Sequence, residues 1–488
     1  MTTKTSRYTS SAPHVTAEQL SPRDAVFVYD EFERHPSNIV AAYVFAGATD
    51  PAGSDGRAVS RAQVRAWMRE RLGYAPLFHR RLERVPGDVD LPYWVPDSGF
   101  DIDHHVTIEE RASWPWDEVR GRLAEIAAAR MDLSRPPWEL HLFDRVHGFP
   151  ETNKPVTIVV LKFHHSVGDG VATRELERKL FGAADTHPPL PTIDRRWSQP
   201  SALLRAAVVT PYRFARFVSG VARTRAAART VQAEVAENAL REPIPLRPAT
   251  RFNRRIGATP AFDLVTLPLA QVRGAKAASD ERITVNDLLL AVVSGALSAY
   301  LTEQAETPSA SLSAMVPISM RGLARWNSAN QLCQMSVDLH TDLTDPLERL
   351  RAIRQSAQDE KRRWAAPAVI VRESRMQTSP AWLLRLAGWA RAQRVFDNVD
   401  TVPLSNTTIS NVPPVADRLE FLGAPVISAF GVLPIMDGDG LRHLITSQGD
   451  QVVIAVSSDT GMLPDPARYA ELLLRSFREL SERLTTQG

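Results

Sequence analysis

The chain has 488 residues, of which 44% are hydrophobic and 23% are charged; this composition is typical of a globular protein, and the length favours two domains. Its 58 basic and 56 acidic residues leave a net charge of only +2, which gives no indication of a nucleic-acid partner. The single cysteine excludes an intrachain disulfide and a cysteine-rich metal cluster.

The N-terminal segment indicates the cellular compartment. Residues 1–20 lack the continuous apolar core of a secretory signal, so we expect a cytoplasmic protein. Apolar runs elsewhere stay short of the about 20 residues that span a bilayer. The run at 288–293 is among the longest. Any association with a membrane is therefore expected to be peripheral.

The N-terminal part of the chain alternates between helical and strand patterns. Apolar residues recur at helical spacing in 59–74 and 117–133, whereas 157–163 is a short continuous apolar run typical of a buried strand. We therefore predict an α/β unit over residues 1–181 that carries the chemistry described below.

A linker is predicted over residues 182–250. Its two ends, 182–200 and 241–250, are rich in proline and polar residues, which favours extended backbone over regular structure. The segment 203–237 between them has the pattern of an amphipathic helix. Its apolar face is formed by four residues at helical spacing: Phe214, Phe217, Val218 and Val221.

The C-terminal part, 251–488, again alternates helix and strand. A helix is predicted over 283–301, where Thr284 or Asn286 can accept hydrogen bonds from the first free amides. Three further elements are predicted from their apolar patterns: strands over 312–321 and 451–459 and an amphipathic helix over 466–484. The whole chain is therefore predicted to be of the α/β (α+β) class, with two similar halves joined by a long linker.

The stretch FHHSVGDGVA, residues 163–172, carries the strongest chemical signal. Successive side chains of a strand point to opposite faces, so only one of His164 and His165 can face a given cavity, and the other packs. A neutral imidazole accepts a proton from a hydroxyl or an amine, which makes a general base the natural role. The same alternation disfavours a metal site. Asp169 either orients an imidazole directly or fixes the loop through an arginine elsewhere.

Other patterns in the chain give weaker or negative signals. A second histidine pair, His104 and His105, has no Asp-Gly after it and is predicted to be structural. Cys333 lies in an apolar, strand-like run and is predicted to be a core residue. The sequence lacks the GxSxG, GxxxxGK[ST], HExxH and complete GxGxxG motifs, which disfavours a serine hydrolase, a P-loop ATPase, a zincin and a classical dehydrogenase.

The HHxxxDG motif after a strand, in a chain of two α/β halves, resembles the chloramphenicol acetyltransferase-like superfamily of acyl-CoA-dependent transferases. Further blocks resemble one branch, the bacterial wax ester synthase/diacylglycerol acyltransferase family, in the right order: LSPRDAVFVYDEF, LSRPPWELHLFDRV, TVNDLLLAVVSGAL, VPISMR and ISNVPPV followed by LGAPV. The resemblance covers about residues 16–484. It implies two chloramphenicol acetyltransferase-like halves with mixed sheets and an active-site tunnel between them.

The resemblance also implies an activity and its substrates. The family transfers acyl groups from acyl-CoA to diacylglycerol or long-chain alcohols, forming triacylglycerol or wax esters. Acyl-CoA would be a co-substrate, and neither a metal nor another cofactor is expected. The alternatives are an acyltransferase for a specialised polyketide or peptide-type hydroxyl or amine, and a non-catalytic lipid-binding member of the fold.

Within the motif, the resemblance implies that His165 is the base that deprotonates the alcohol and that His164 is mainly structural. Asp169, followed by Gly170, would pair with an arginine after a strand of the other half, and Arg321 in PISMR is the matching residue.

The Asn-Asp pair of the family falls on Asn286 and Asp287, near the implied tunnel. Asn286 either holds the substrate carbonyl or caps its helix. The segments NVPPV and ANQL depart from the usual family pattern, which leaves acyl transfer intact but makes the substrate less certain.

The predicted linker helix has two interpretations. Six arginines lie beside its aromatic residues: Arg205, Arg213, Arg216, Arg223, Arg225 and Arg229. Such a helix either docks on anionic lipid at the inner membrane or a lipid droplet, or lies across the two halves with a solvated basic side.

Overall fold

The structure is a computed structural model that describes residues 14–47, 58–109, 111–183, 186–194, 196–397, 399–402 and 405–487. Its α-helices are α1 (Pro22–Tyr29), α2 (Arg61–Arg71), α3 (Trp116–Ala128), α4 (Gly170–Phe181), α5 (Gln199–Ala236), α6 (Leu269–Ala277), α7 (Val285–Glu303), α8 (Pro346–Ala365), α9 (Pro367–Glu373), α10 (Ala381–Ala392) and α11 (Pro466–Gln487). Its strands are β1 (His14–Val15), β2 (Glu18–Gln19), β3 (Asn38–Ala46), β4 (Arg80–Glu83), β5 (Tyr93–Pro96), β6 (Val106–Ile108), β7 (Trp114–Pro115), β8 (Trp138–His147), β9 (Val156–His164), β10 (Thr192–Ile193), β11 (Arg247–Pro248), β12 (Pro260–Pro268), β13 (Ser313–Ser319), β14 (Leu332–Asp338), β15 (Thr401–Val402), β16 (Thr407–Asn411), β17 (Glu420–Phe421), β18 (Ala424–Gly431), β19 (Arg442–Gln448) and β20 (Gln451–Asp459).

The N-terminal sheet places the motif strand at its centre. The strand order is β17-β18-β3-β9-β8-β6, and β7 also pairs with β8. Every residue of β9 is buried, which explains its continuous apolar run, because both faces of a central strand pack against other layers. Asn38 of β3 lies opposite His164 in the antiparallel pair of β3 and β9. The end of β9 is therefore held in the middle of the sheet.

The C-terminal sheet is mixed, with the order β12-β20-β19-β16-β13-β14. The strand β16 is parallel to both β13 and β19, and the other neighbours are antiparallel. Helices α7, α8 and α11 pack together over this sheet. Strand β20 has the bounds that were predicted for it, and α7 and α11 lie within two to three residues of their predicted bounds. Two halves of mixed α/β structure confirm the predicted fold class.

One strand crosses between the halves. Strand β18 comes from the C-terminal part of the sequence, yet it pairs antiparallel with β3 of the N-terminal sheet. Helix α3 also packs against β12 of the other half. The two halves are therefore joined by backbone hydrogen bonds as well as by side chains, which fixes the end of β9 relative to the C-terminal loops.

Helix α7 is the core helix of the C-terminal half. Among the described helices it is the one with the length and mean hydropathy of a membrane span, and 67% of its most apolar window is buried inside the protein. Its outer neighbours are α8 and α11, so burial in a protein core accounts for its apolar composition.

The linker helix α5 packs on the protein through its small residues. The predicted apolar residues Phe214 and Val218 are 59% and 51% exposed. Five small or β-branched residues face the protein instead: Ala202, Ala206, Gly220, Ala227 and Val231. The helix lies against α9 and the 3-10 turn that follows it, where the Cα of Gly220 approaches Thr378 too closely for a larger side chain. Close packing selects the small residues for the buried side. Of the four apolar residues noted in the sequence, Phe217 and Val221 are half-buried and Phe214 and Val218 are exposed.

Candidate active site

The two motif histidines separate at the end of β9. His164 ends the strand, and His165 begins a 3-10 turn over His165–Val167. The carbonyl of Ser37 accepts a hydrogen bond from the backbone N–H of His165 at 2.7 Å, which anchors the turn to the start of β3. The side chain of His164 is fully buried, whereas that of His165 is only half-buried.

His164 has a packing role in this structure. Its Nδ1 accepts from the backbone N–H of Ser166 at 3.3 Å, which caps the 3-10 turn. Its Nε2 lies 3.7 Å from the buried carboxylate of Glu31. Burial raises the pKa of Glu31, but His164, the backbone N–H of Ser37 and Arg130 together lower it by more, so the net shift is downward. His164 therefore supports the turn from inside the protein.

The imidazole of His165 is held on two sides. Its ring stacks on the ring of Phe27 from α1, with centroids 4.2 Å apart and planes 11° from parallel. Its Nδ1 lies 3.0 Å from Oδ1 of Asn330, a residue of the loop before β14. These two contacts, one from each half of the chain, fix the orientation of the ring.

The hydrogen bonds of Asn330 determine which nitrogen of His165 is free. The Asn330 amide nitrogen donates to Oδ1 of Asp24 at 2.9 Å and to the backbone carbonyl of His165 at 2.8 Å. Both are acceptors only, so the amide oxygen must face the imidazole and Nδ1 must carry the proton. The lone pair of His165 then lies on Nε2. This is the tautomer that a general base requires.

Burial is the main influence on the charge of His165. It lowers the pKa of the imidazole below its ordinary value of 6.5, although the hydrogen bond that His165 donates to Asn330 opposes the shift. The side chain is therefore neutral at pH 7 and able to accept a proton.

Asp24 organises the loop that presents Asn330. Its buried carboxylate accepts from the Ser328 hydroxyl at 2.8 Å and from the backbone N–H groups of Ala329 and Asn330 at 3.1 Å and 3.0 Å. Neither Asp24 nor Asn330 could be identified as functional from the sequence, because the two lie 306 residues apart and neither follows a chemical motif. Asp24 lies in the LSPRDAVFVYDEF block that resembles the family. Asn330 lies in the ANQL segment that departs from the usual family pattern.

Asp169 fixes the motif loop through an arginine. Its carboxylate oxygens accept from the two terminal nitrogens of Arg321 at 2.7 Å and 2.9 Å. It also caps α4 by accepting from the N–H of Val171 and accepts from the N–H of Gln331. Burial raises the pKa of Asp169, but Arg321 and the backbone amides lower it by more. Of the two interpretations left open by the sequence, the structure supports the indirect one.

The other predicted site residues are Gly170, which follows Asp169 in the motif, and the pair Asn286 and Asp287 at the start of α7. A Cβ on Gly170 would lie 3.3 Å from Cγ1 of Val412, so the backbone of α4 approaches the end of β16 closely. Asp287 is part of the α7 cap, where it exchanges hydrogen bonds with Thr284. Asn286 accepts from the side chain of Asn411 at 3.2 Å. The cap is therefore Thr284, and the alternative that Asn286 caps the helix is wrong.

His105 and Cys333 have the structural positions that the sequence predicts. His105 is buried, stacks on Trp138 with centroids 4.5 Å apart, and bonds the carbonyl of Trp138 at 2.8 Å, whereas its neighbour His104 is exposed. Cys333 is buried, and burial raises its pKa to about 11. Within the described ranges no group of three or more histidine, cysteine, aspartate or glutamate side chains is arranged to hold a metal ion.

A cavity of about 1080 Å³ lies beside the motif loop. Ser166 and Val167 of the 3-10 turn form part of its wall, and Ser328 and Gln331 contribute from the Asn330 loop. Helices α5 and α10 line it from the outside. The turn that carries His165 therefore borders a space large enough for a lipid substrate.

Comparisons with known proteins agree with this architecture. The family model described as "Wax ester synthase/diacylglycerol acyltransferase catalytic domain" matches residues 20–289, and the "WS/DGAT C-terminal domain" model matches residues 328–481. Among curated relatives, "Putative diacyglycerol O-acyltransferase Rv1760" of Mycobacterium tuberculosis is 27% identical over 95% of this chain and 90% of its own length. "Putative diacyglycerol O-acyltransferase Rv3740c" of the same organism is 28% identical over 94% and 99%.

Solved structures show the same fold. The wax ester synthase/diacylglycerol acyltransferase from Marinobacter aquaeolei VT8 superposes with a TM-score of 0.63 at 22% identity, covering 96% of this chain and 100% of its own. A starter condensation domain of rhizomide synthetase, in complex with C8-CoA and Leu-SNAC, has a TM-score of 0.51 at 14% identity, covering 96% and 94%. With both halves matched by models of one family, the chain belongs to the wax ester synthase/diacylglycerol acyltransferase family and is an acyltransferase that forms neutral lipid esters.

Proposed function

We propose that this enzyme transfers the acyl group of an acyl-CoA directly to the hydroxyl of diacylglycerol or a long-chain alcohol, with His165 as the general base. The observation that carries the proposal is the hydrogen bond from Nδ1 of His165 to Asn330, which leaves the lone pair of Nε2 free. The depressed pKa of the same ring keeps it neutral near pH 7.

The proposed chemistry proceeds in one ternary complex. Nε2 of His165 removes the hydroxyl proton while the alcohol oxygen attacks the thioester carbonyl. The tetrahedral intermediate then collapses, the C–S bond breaks, and the departing CoA thiolate takes the proton back from the imidazolium. A thiol with a pKa of about 8.5 is a good leaving group, so a covalent acyl-enzyme is unnecessary. Cys333, with its raised pKa and buried position, is a poor candidate nucleophile.

The two halves supply the positioning that direct transfer needs. His165 comes from the N-terminal half, and Asn330 and Arg321 come from the C-terminal half. We place substrate in the cavity that Ser166 and Val167 border. A neighbour in the fold, the rhizomide synthetase domain, is described in complex with C8-CoA, which supports acyl-CoA as the donor. Bringing both substrates into one site accounts for a large part of such a rate enhancement.

Asn286 is proposed to hold the substrate carbonyl. Its hydrogen bond with Asn411 uses the amide oxygen, so the amide nitrogen is the atom that faces a carbonyl in this proposal. The side chain is half-buried and lies near the end of β16, next to the Val412 that contacts Gly170.

The test is release of free CoA from palmitoyl-CoA by the purified protein. We expect release only when diacylglycerol or hexadecanol is present, with the ester recovered in equal amount. Release that is independent of the acceptor would indicate a thioesterase. Failure with lipid acceptors but activity on a polyketide or amine acceptor would indicate the specialised alternative, and binding of acyl-CoA without any release would indicate a lipid-binding protein.

Asn330 is proposed to be a positioning residue, and its role predicts a change in pH dependence. The rate of the wild-type enzyme should be constant above pH 7 and fall as the pH drops through the lowered pKa of His165. Asn330→Ala should lower kcat by about 10- to 100-fold, because the ring loses its fixed tautomer. The acid limb should also move to lower pH, since the lost hydrogen bond had raised the pKa.

A matched control is Ser328→Ala. Ser328 also bonds Asp24 in the same loop but does not contact His165. This variant should retain the wild-type pH profile. An Asn330→Ala enzyme with an unchanged acid limb would contradict the positioning role, whatever its kcat.

The same proposal places the enzyme in the cytoplasm, working at a lipid surface. Support comes from α7, the one described helix with the dimensions of a membrane span, which is accounted for by burial in the C-terminal core. Diacylglycerol and long-chain alcohols reside in membranes, so a cytoplasmic enzyme must meet them at the surface.

A further inference from the structure

Helix α10 exposes a stripe of large apolar side chains. Trp382, Leu386 and Trp389 recur at helical spacing and are 51%, 52% and 61% exposed. The opposite side of α10 packs on α1 so closely that a Cβ on Gly388 would lie 2.0 Å from the carbonyl oxygen of Tyr29. The orientation of α10 is therefore fixed by packing, and its exposed stripe is a constant feature of the surface. Such contiguous exposed patches mark interaction sites.

The N-terminal part of α5 also exposes large apolar side chains. Leu204, Val208 and Tyr212 are spaced four residues apart and are 70%, 71% and 65% exposed. The two helices meet where the ring of Phe217 lies 6.4 Å from that of Trp382. We call the exposed apolar residues of α5 and α10 the apolar face; its members are Leu203, Leu204, Val208, Tyr212, Phe214, Val218, Trp382, Leu386 and Trp389.

The charge beside the apolar face is positive. Helix α5 contains six arginines and a single acidic residue, Glu234. Arg205 and Arg213 are bonded to Tyr93 and Asp90. The other four, Arg216, Arg223, Arg225 and Arg229, are exposed and have no carboxylate within salt-bridge distance among the described residues. These guanidinium groups are available for phosphate.

These observations favour a lipid surface over a protein partner. Tryptophan and tyrosine are the side chains that settle at a membrane interface, and exposed arginines bind anionic head groups. A second copy of the chain is disfavoured, because a symmetric dimer through this face would place the arginines of α5 near one another.

Two members of the apolar face also line the cavity that lies beside the motif loop. Phe214 and Trp382 line that cavity from α5 and α10, and Ser166 and Val167 line it beside His165. Helix α1, on which α10 packs, carries the Phe27 that stacks on His165. The lipid-facing helices and the motif loop thus border one continuous space.

We propose that the apolar face docks on an anionic phospholipid bilayer and that the lipid acceptor passes from the bilayer into the cavity between α5 and α10. The docking step is independent of the chemistry, whereas the passage of the acceptor rests on the proposed function. An acceptor taken directly from the bilayer avoids exposure of its alkyl chain to water.

The binding test uses sedimentation with vesicles. One set contains phosphatidylcholine alone, and the other contains equal parts of phosphatidylcholine and phosphatidylglycerol. The wild-type protein should sediment with the anionic set. A Leu386→Ser/Trp389→Ser double variant and an Arg223→Gln/Arg225→Gln/Arg229→Gln triple variant should each bind at least about tenfold more weakly. None of these five residues lines the cavity.

The matched control is Leu190→Ser/Leu246→Ser. These two leucines are 60% and 62% exposed but lie outside the apolar face. The control should bind like the wild type. Equal wild-type binding to both vesicle sets, or undiminished binding of the double variant, would overturn the proposal. A wild-type dimer that the double variant abolishes, without change in vesicle binding, would identify the face as a subunit interface and would also overturn it.

The activity test separates docking from catalysis. With diacylglycerol in anionic vesicles, the activity of each surface variant should fall by the same factor as its affinity for the vesicles. With hexanol, which dissolves in water, they should match the wild type. Loss of activity on hexanol as well would overturn the passage proposal. A wild type that binds anionic vesicles but esterifies no acceptor would refute the proposed function while supporting docking.

Discussion

Replacement of His165 by alanine is expected to lower kcat for ester synthesis by about 100- to 10,000-fold, the range that general acid–base catalysis contributes. The structure gives Nε2 of this ring a free lone pair and gives the ring a neutral charge at pH 7. The measurement is CoA release at saturating palmitoyl-CoA and hexadecanol, with KM for each substrate determined separately. Both KM values should change little, because the lost interaction acts on the proton that is transferred in the transition state and not on substrate binding.

The neighbouring histidine provides the control. His164 is fully buried beside Glu31, so His164→Ala should lower the midpoint of urea unfolding more than His165→Ala does. His165 is half-buried and makes one side-chain hydrogen bond, so its alanine variant should unfold near the wild-type midpoint. A stable His165→Ala enzyme that keeps more than a tenth of wild-type kcat would refute the role of His165 as base.

Elements that follow a local apolar pattern could be predicted from the sequence. The run at 157–163 became the buried β9, and 451–459 became β20 without change of bounds. The same logic predicted the helix α5 but not which of its sides packs, because Phe214 and Val218 face solvent whereas Phe217 and Val221 are half-buried. An apolar stripe in the sequence indicates that a helix has one apolar and one polar side. It does not indicate whether protein, lipid or solvent covers the apolar side. Here the small residues of the helix pack, and the large ones stay exposed.

Contacts between distant segments account for what the sequence could not predict. Helix α1 and the loop before β14 meet at Asp24 and Asn330, and only that meeting sets the tautomer of His165. The pairing of β18 with β3 of the N-terminal sheet likewise joins residues that are far apart in the sequence. The partner of Asp169 was identified in advance through a family resemblance, because the spacing of Asp169 and Arg321 in the sequence contains no information about their contact.

The pair of Asp169 and Arg321 carries the second large expected effect. Arg321→Met should destabilise the protein by about 3 kcal/mol, the low end of the range for breaking a buried ion pair. The carboxylate of Asp169 is fully buried and would lose its counter-charge. Arg321 is one-third exposed, and three backbone N–H groups still donate to Asp169, which is why we expect the low end. Urea unfolding at pH 7 is the measurement.

A surface pair on the same helix provides the matched control. Lys179 and Glu175 of α4 form an ion pair at 2.7 Å, with side chains 43% and 70% exposed. Lys179→Met should change the free energy of unfolding by less than about 1 kcal/mol. Comparable losses for Arg321→Met and Lys179→Met would show that burial of Asp169 is not what makes the first pair important.

The effect of Arg321→Met should also depend on pH in a direction that follows from the ion pair. In the wild type the pKa of Asp169 lies below its ordinary value, so its contribution to stability is present at neutral pH and is lost as the pH falls through that depressed pKa. Without Arg321, burial becomes the dominant influence and raises the pKa, so the variant takes up a proton at higher pH and its deficit shrinks on acidification. A deficit that is the same at pH 4 and pH 7 would mean that Arg321 acts by packing.

Arg321 also bonds the Ala329 carbonyl, one residue before Asn330. Its loss should therefore displace the loop that carries Asn330, which orients His165, and lower kcat as well as stability.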